Sequence, residues 1–199
     1  MPKLPELILE LAGNAILAIL AIPAIMAMHR QSGFTLIELL IVLSIVGLLA
    51  ATSMAIYRNA RVRAGETAAV ATLQAITDAQ FAFAQLCGNQ RYAPTLQTLT
   101  APMPTTGQAF LSPDFGMDPL LKSGYRFILG GTAVTDAGLT CTGITPVEGY
   151  QVTADPEKPG LSGIRYFGTN TDRVLYEAME TFTGNMPESG PPGRGAEMK

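Results

Sequence analysis

Apolar and polar positions are distributed along this chain in three regimes. Between Leu39 and Tyr57 no charged residue occurs across nineteen consecutive positions, long enough to cross the roughly 30 Å of hydrocarbon in a bilayer as a helix. An earlier apolar stretch, residues 11–28 (LAGNAILAILAIPAIMAM), is separated from it by the short polar connector HRQSG. Past Tyr57 the apolar residues become periodic: Val70, Leu73, Ile76, Ala79, Phe83 and Leu86 recur every three or four positions in an Ala- and Gln-rich segment. That spacing puts them on one face of an amphipathic helix. No proline interrupts Phe34–Leu86, so the two regimes are expected to form one helix of about fifty residues, some 75 Å at about 1.5 Å per residue. Gly65 is its weak point, and Gly88 with Asn89 is the expected stop.

The third regime reads differently. Five prolines (94, 102, 104, 113 and 119) among threonines and glycines predict a helical turn near Thr95–Leu99 followed by loop. Four aromatic and β-branched runs follow, at 123–131, 149–155, 162–168 and 173–179, separated by Gly, Pro, Asn or Asp and expected as strands. The segment TNTD would turn the last two into a hairpin. From Gly184 the tail GNMPESGPPGRGAEMK is so rich in Gly and Pro that disorder is expected. The predicted fold class is therefore α+β, a long N-terminal helix packed on a C-terminal antiparallel sheet of about four strands.

Composition sharpens this division. Only 15% of the 199 residues are charged and the net charge is −3, with no basic concentration that would point to a nucleic-acid partner. Arg91, Lys122, Arg126, Lys158, Arg165 and Arg173 are scattered, as on a solvated surface. Two cysteines, Cys87 and Cys141, both lie beyond the apolar run. A lone pair in an exported domain is expected as a disulfide; in a cytoplasmic domain the same pair would be buried thiols.

Candidate catalytic chemistry is sparse. The only histidine, His29, precedes the main apolar run, the cysteines are too far apart for a redox CxxC, and no paired carboxylate constellation stands out. Asp155 with Glu157, or Asp172, are too sparse for a calcium loop. No enzyme activity, cofactor or metal is expected. Glu38 is the anomaly, because a carboxylate at the start of a membrane-length run is costly unless something positive meets it.

The run GFTLIELLIVLSIVGLLAA, Gly33 to Ala51, resembles the class III signal and N-terminal helix of type IV pilins and type II secretion pseudopilins. The continuation to Gln85 is similar to the rest of that family's long helix. The resemblance implies that a prepilin peptidase cuts between Gly33 and Phe34 and methylates the new Phe34 amine, removing residues 1–33. It further implies that Glu38 of one subunit meets the Phe34 amine of its neighbour during assembly, a charge-assisted pair that offsets desolvation neither group could bear alone. The alternative within one chain is Glu38 protonated, or paired one turn back. Ser44, Gly47 and Ala51 supply the small residues that let helices approach closely in lipid.

The organisation that follows is a leader over 1–33, a membrane and polymerisation helix over 34–57, a globular domain over 58–183 and a tail over 184–199. Starting translation at Met28 would leave MHRQSG as leader and remove a span that conflicts with a cytoplasmic cleavage site. The implied function is that of a structural subunit of a type IV filament, with a secretion pseudopilin as the alternative and a DNA- or surface-binding minor pilin as a more distant one. Implied partners are the peptidase, identical or related subunits and an inner-membrane assembly platform. The chain would sit in the bacterial inner membrane with its leader cytoplasmic before joining a periplasmic or extracellular filament. Two departures are visible. Ala55 stands where many pilins have proline, and Arg58, Arg61 and Arg63 lie at the outer end of the span, against the positive-inside tendency. These arginines are expected to pair with Glu66, Asp78 or a neighbour's acids, or to face lipid headgroups.

Overall fold

The computed structural model describes residues 34–198, apart from the side chains of 51–55 and 137. The expectations that fall on the leader, on residues 11–28 and on a start at Met28 lie outside the described residues. The long helix, α1, runs Leu36–Leu86, 51 residues. The chain divides into two units between Ala51 and Thr52, and each is taken by itself.

In the first unit, α1 opens with Thr35 as its cap. The Glu38 amide donates to both the carbonyl (3.1 Å) and the hydroxyl (3.3 Å) of Thr35, so the TLIE segment satisfies an otherwise orphan helix-start donor. Its large side chains, including Phe34, Leu36, Ile37, Leu43 and Leu48, are exposed. Among the described residues no helix is long and apolar enough to cross a membrane; the uncharged run Leu39–Tyr57 includes 51–55, whose side chains are not described.

In the second unit α1 becomes amphipathic. Ala69, Leu73, Ile76, Ala79 and Phe83 are buried in the core and Val70 packs at its edge, as the spacing predicts. Leu86 is the exception: as the last helical residue it is exposed. The helix stops as Cys87 and Gly88 donate to the Phe83 carbonyl, and Asn89 and Gln90 adopt positive φ, turning the chain away as helix C-termini commonly do. A short helix α2, Leu96–Thr100, follows with Thr95 as its N-cap.

The sheet is a six-stranded antiparallel meander in the order β1-β2-β3-β4-β5-β6, formed by Leu120–Lys122, Tyr125–Gly130, Gln151–Pro156, Tyr166–Asn170, Leu175–Ala178 and Ala196–Glu197. Four strands correspond to the expected runs, although β4 starts only at Tyr166 because residues 158–165 form a loop held against α1. The two extra strands are the edge pieces β1 and β6, too short for alternation to reveal. The hairpin between β4 and β5 forms as expected, with Thr169 opposite Leu175.

Alternation along β2, β3 and β4 turns Tyr125, Phe127, Leu129, Val152, Ala154 and Phe167 toward the helix face. Nineteen buried residues join in this main core, which is the principal stabilising element of the unit. On the opposite side of the sheet Tyr176, Phe182 and Met186 make a smaller cluster, with Phe182 and Met186 against Gly168.

The tail departs from its expected disorder. Asn170 Nδ2 donates to the Gly190 carbonyl at 2.7 Å, the Gly190 amide donates to Asp172 Oδ2 at 2.6 Å, and the Thr171 amide donates to the Glu188 carbonyl at 3.1 Å. Glycine and proline raise the tail's chain entropy, but contacts with β4 and β5 that no local pattern encodes offset it. Cys87 and Cys141 form the expected disulfide, Cα atoms 4.8 Å apart.

Candidate assembly site

The residues expected to carry assembly lie on the first turns of α1. Glu38 is half-buried, and its carboxylate has no hydrogen bond or ion pair among the described residues. The backbone of the same residue is fixed by Thr35, and a carboxylate in the first turn is favoured by the helix dipole. Its acid thus has no side-chain partner among the described residues.

Around it the surface is apolar on every side. Leu39, Leu40, Ile41, Val42 and Leu43 are each about half exposed, a continuous patch of a kind soluble monomers rarely leave open. Ser44 returns its hydroxyl to the Leu40 carbonyl at 2.7 Å, removing a donor from an apolar surface. A side chain at Gly47 would meet nothing within 4 Å, so its smallness answers no packing need within the described residues of this chain. Gly33 and the side chain of Ala51 lie outside the described residues. Phe34, just before the helix, and Gly47, within it, are both exposed.

The expected pairing of Arg58, Arg61 and Arg63 with Glu66 and Asp78 is not what forms. Those acids are taken by other arginines. Asp78 Oδ1 accepts from Arg173 Nη2 at 2.8 Å. Glu66 Oε2 accepts from Arg165 Nε at 3.0 Å and Nη2 at 2.8 Å, while its Oε1 accepts from the amides of Ile164 (2.9 Å) and Arg165 (3.2 Å). A planar guanidinium two-pronged on a carboxylate, with two amides behind it, satisfies this acid far better than a flexible neighbour on the same helix. Burial would raise the pKa of Glu66, and this is the largest single influence. The Ile164 amide and the Arg165 side chain and amide together outweigh it, so the acid is held below its ordinary value. Arg58, Arg61 and Arg63 remain exposed, with no ion pair among the described residues.

Two polar anchors of α1 escape a sequence reading. Glu66 lies on the buried face, seven positions before Leu73 and ten before Ile76, and an acid in an apolar stripe is the signal that could have marked it. Gln80 is fully buried and acts as a surrogate backbone, its amide exchanging hydrogen bonds with Ala93 at 2.8 and 2.9 Å. Both hold the globular unit on α1. Among the described residues no group of three His, Cys, Asp or Glu side chains could hold a metal ion.

The comparisons bear on the first turns of α1. Residues 28–54 match the family model of the prokaryotic N-terminal methylation motif. No curated protein and no solved structure matches the chain. The matched segment contains Gly33 and, among the described residues, Phe34 and Gly47, which are exposed, and Glu38, whose carboxylate has no partner. The chain therefore carries, across residues 28–54, the N-terminal methylation signal of type IV pilins and pseudopilins.

Proposed function

We propose that this protein is a structural subunit of a type IV filament, cut between Gly33 and Phe34, methylated at Phe34 and assembled through α1. The methylation signal at residues 28–54 carries the reading. Supporting it are an apolar surface wrapped around residues 34–49, an acid at Glu38 with no partner of its own among the described residues, and a globular unit whose core leaves those residues aside.

In this reading residues 34–57 first hold the subunit in the inner membrane. Cleavage creates a cation at Phe34, and methylation to a secondary amine keeps it. Glu38 of the incoming subunit and the Phe34 amine of its neighbour neutralise one another, which sets the register while apolar helix faces pack. Gly47, and with it Ala51, lets those helices approach closely. The prepilin peptidase and an inner-membrane platform are the partners this route requires. A periplasmic secretion pseudopilus uses the same processing and helix assembly, and is the alternative filament.

The test is intact mass and N-terminal sequencing of the protein from native membranes, with and without the prepilin peptidase. A product beginning at methylated Phe34, present only with the peptidase, is expected. A chain that keeps residues upstream of Phe34 in both strains would overturn the reading.

A further inference from the structure

Two turns of the globular unit end on α1 a few residues beyond the uncharged run, and between them lies an open cleft of about 520 Å³, lined by Arg61, Gly65, Ser123, Gly124 and Ser162. Its shape follows from glycine. A Cβ at Gly65 would stand 2.4 Å from the Ser162 carbonyl oxygen, so only glycine lets the 158–164 loop lie against the helix. Gly124 in the β1–β2 turn leaves the adjoining wall without a side chain.

The groups left over in this cleft are donors. Arg61 is exposed and without an ion pair, and the Ser123 hydroxyl makes no hydrogen bond, among the described residues. The Ser162 hydroxyl is already engaged with the amide and carbonyl of Lys158. Arg58 lies one helical turn before Arg61 on α1, and Lys158 belongs to the loop; both are exposed and neither has an ion pair among the described residues. On the acidic side Glu66 is held by Arg165 and Asp114 by Lys122, which leaves Glu157 as the local counter-charge.

The same loop carries two apolar residues with no core to enter, Leu161 (48% exposed) and Ile164 (52% exposed). In sequence Arg58 is the first charge after the nineteen uncharged residues. Unspent cations, a free hydroxyl and exposed aliphatic side chains together match the chemistry of a lipid headgroup: a phosphodiester beside the start of its acyl chains.

We propose that this cleft binds the phosphate of an anionic phospholipid, with Arg61 and the Ser123 hydroxyl donating to the phosphodiester and Leu161 and Ile164 lying in the interface. The inference rests on the proposed membrane-held subunit, since it needs residues 34–57 in the bilayer. It gives the outward-lying arginines a role that the positive-inside tendency does not. A headgroup held here would draw the 158–164 loop onto the membrane surface before assembly.

The test uses the full chain in nanodiscs of phosphatidylcholine alone or with phosphatidylglycerol, read by amide hydrogen exchange. Phosphatidylglycerol is expected to slow exchange severalfold across residues 158–164 and the Ser123–Gly124 turn, and Arg61→Gln to abolish that protection while exchange in β3 and β4 stays unchanged. Equal exchange in the two lipids, or full protection retained in Arg61→Gln, would overturn the site. So would protection that depends on the number of protein copies per disc, which would assign the arginines to a neighbour's acids. A chain that fails to enter the nanodiscs at all overturns the membrane-held reading, and the headgroup site falls with it.

Discussion

Glu66 and Arg165, separated by 99 residues in sequence, share two side-chain hydrogen bonds of 2.8 and 3.0 Å, and this contact fixes the 158–165 loop to α1. Arg165 continues to Glu177 on β5 at 2.5 Å, so one guanidinium ties helix, loop and sheet together. The buried carboxylate also accepts from the Ile164 and Arg165 amides, whereas the guanidinium is partly open to water and keeps Glu177, which makes the acid the costlier member to lose.

Replacing Glu66 with Ala is therefore expected to destabilise the globular unit by about 2–3 kcal/mol, chiefly because the Ile164 and Arg165 amides lose their acceptor. Arg165→Ala leaves the carboxylate its two amide donors and should cost less. Urea unfolding of both variants, followed by circular dichroism, checks the order. A larger loss for Arg165→Ala would contradict it.

Acid should act through the same residue. Glu66 has its pKa lowered by folding from an ordinary value of 4.5, so its contribution is fully present above about pH 4.5 and is lost as pH falls through the lower folded value. Between pH 5 and 3 the urea midpoint of the wild-type protein should decline more steeply than that of Glu66→Gln. Parallel curves would mean that Glu66 does not carry the acid sensitivity.

The disulfide closes a loop with a sequence separation of 54. In the chain-entropy picture this stabilises the fold by about 4 kcal/mol. Cys87→Ser and Cys141→Ser should each lose most of that, and a reductant should lower the unfolding midpoint of the wild type but of neither variant.

Gly65 and Gly47 should respond to alanine with opposite signs. Both sit inside α1, where alanine is favoured over glycine by about 1 kcal/mol. At Gly65 the new methyl meets the Ser162 carbonyl, and the backbone shift it forces should leave a net loss of about 1–3 kcal/mol. At Gly47 nothing stands within 4 Å, so the subunit should fold as well or better. If helices pack at Gly47 in a filament, Gly47→Ala should still lower filament yield, measured by shearing and sedimentation.

Glu38 offers the sharpest separation of processing from assembly. If Glu38 neutralises a neighbour's Phe34 amine as proposed, Glu38→Ala should be cut at Gly33 and accumulate in membranes without entering filaments, because that amine would be left buried and unneutralised. Normal filament yield from this variant would remove Glu38 from the assembly mechanism.

What the sequence determined by itself is what local physics encodes. The three- and four-residue spacing from Val70 to Phe83 yields the buried helix face, the Gly88–Asn89 stop is met at Leu86, and the aromatic and β-branched runs yield β2 to β5. The methylation motif around GFTLIE, a signal confined to a few neighbouring residues, was equally legible and is matched over residues 28–54. Tertiary structure decided the partners. Arg165 rather than Arg63 meets Glu66, because the loop delivers a guanidinium and two amides to the carboxylate at once. The same holds for Gln80 with Ala93 and for the Gly- and Pro-rich tail, which is ordered by a donor on β4 and an acceptor in the turn that follows it. Periodicity reports which face a residue shares with its near neighbours; it holds no information on what a group finds across the core, where hydrogen-bond geometry and burial select among many distant candidates.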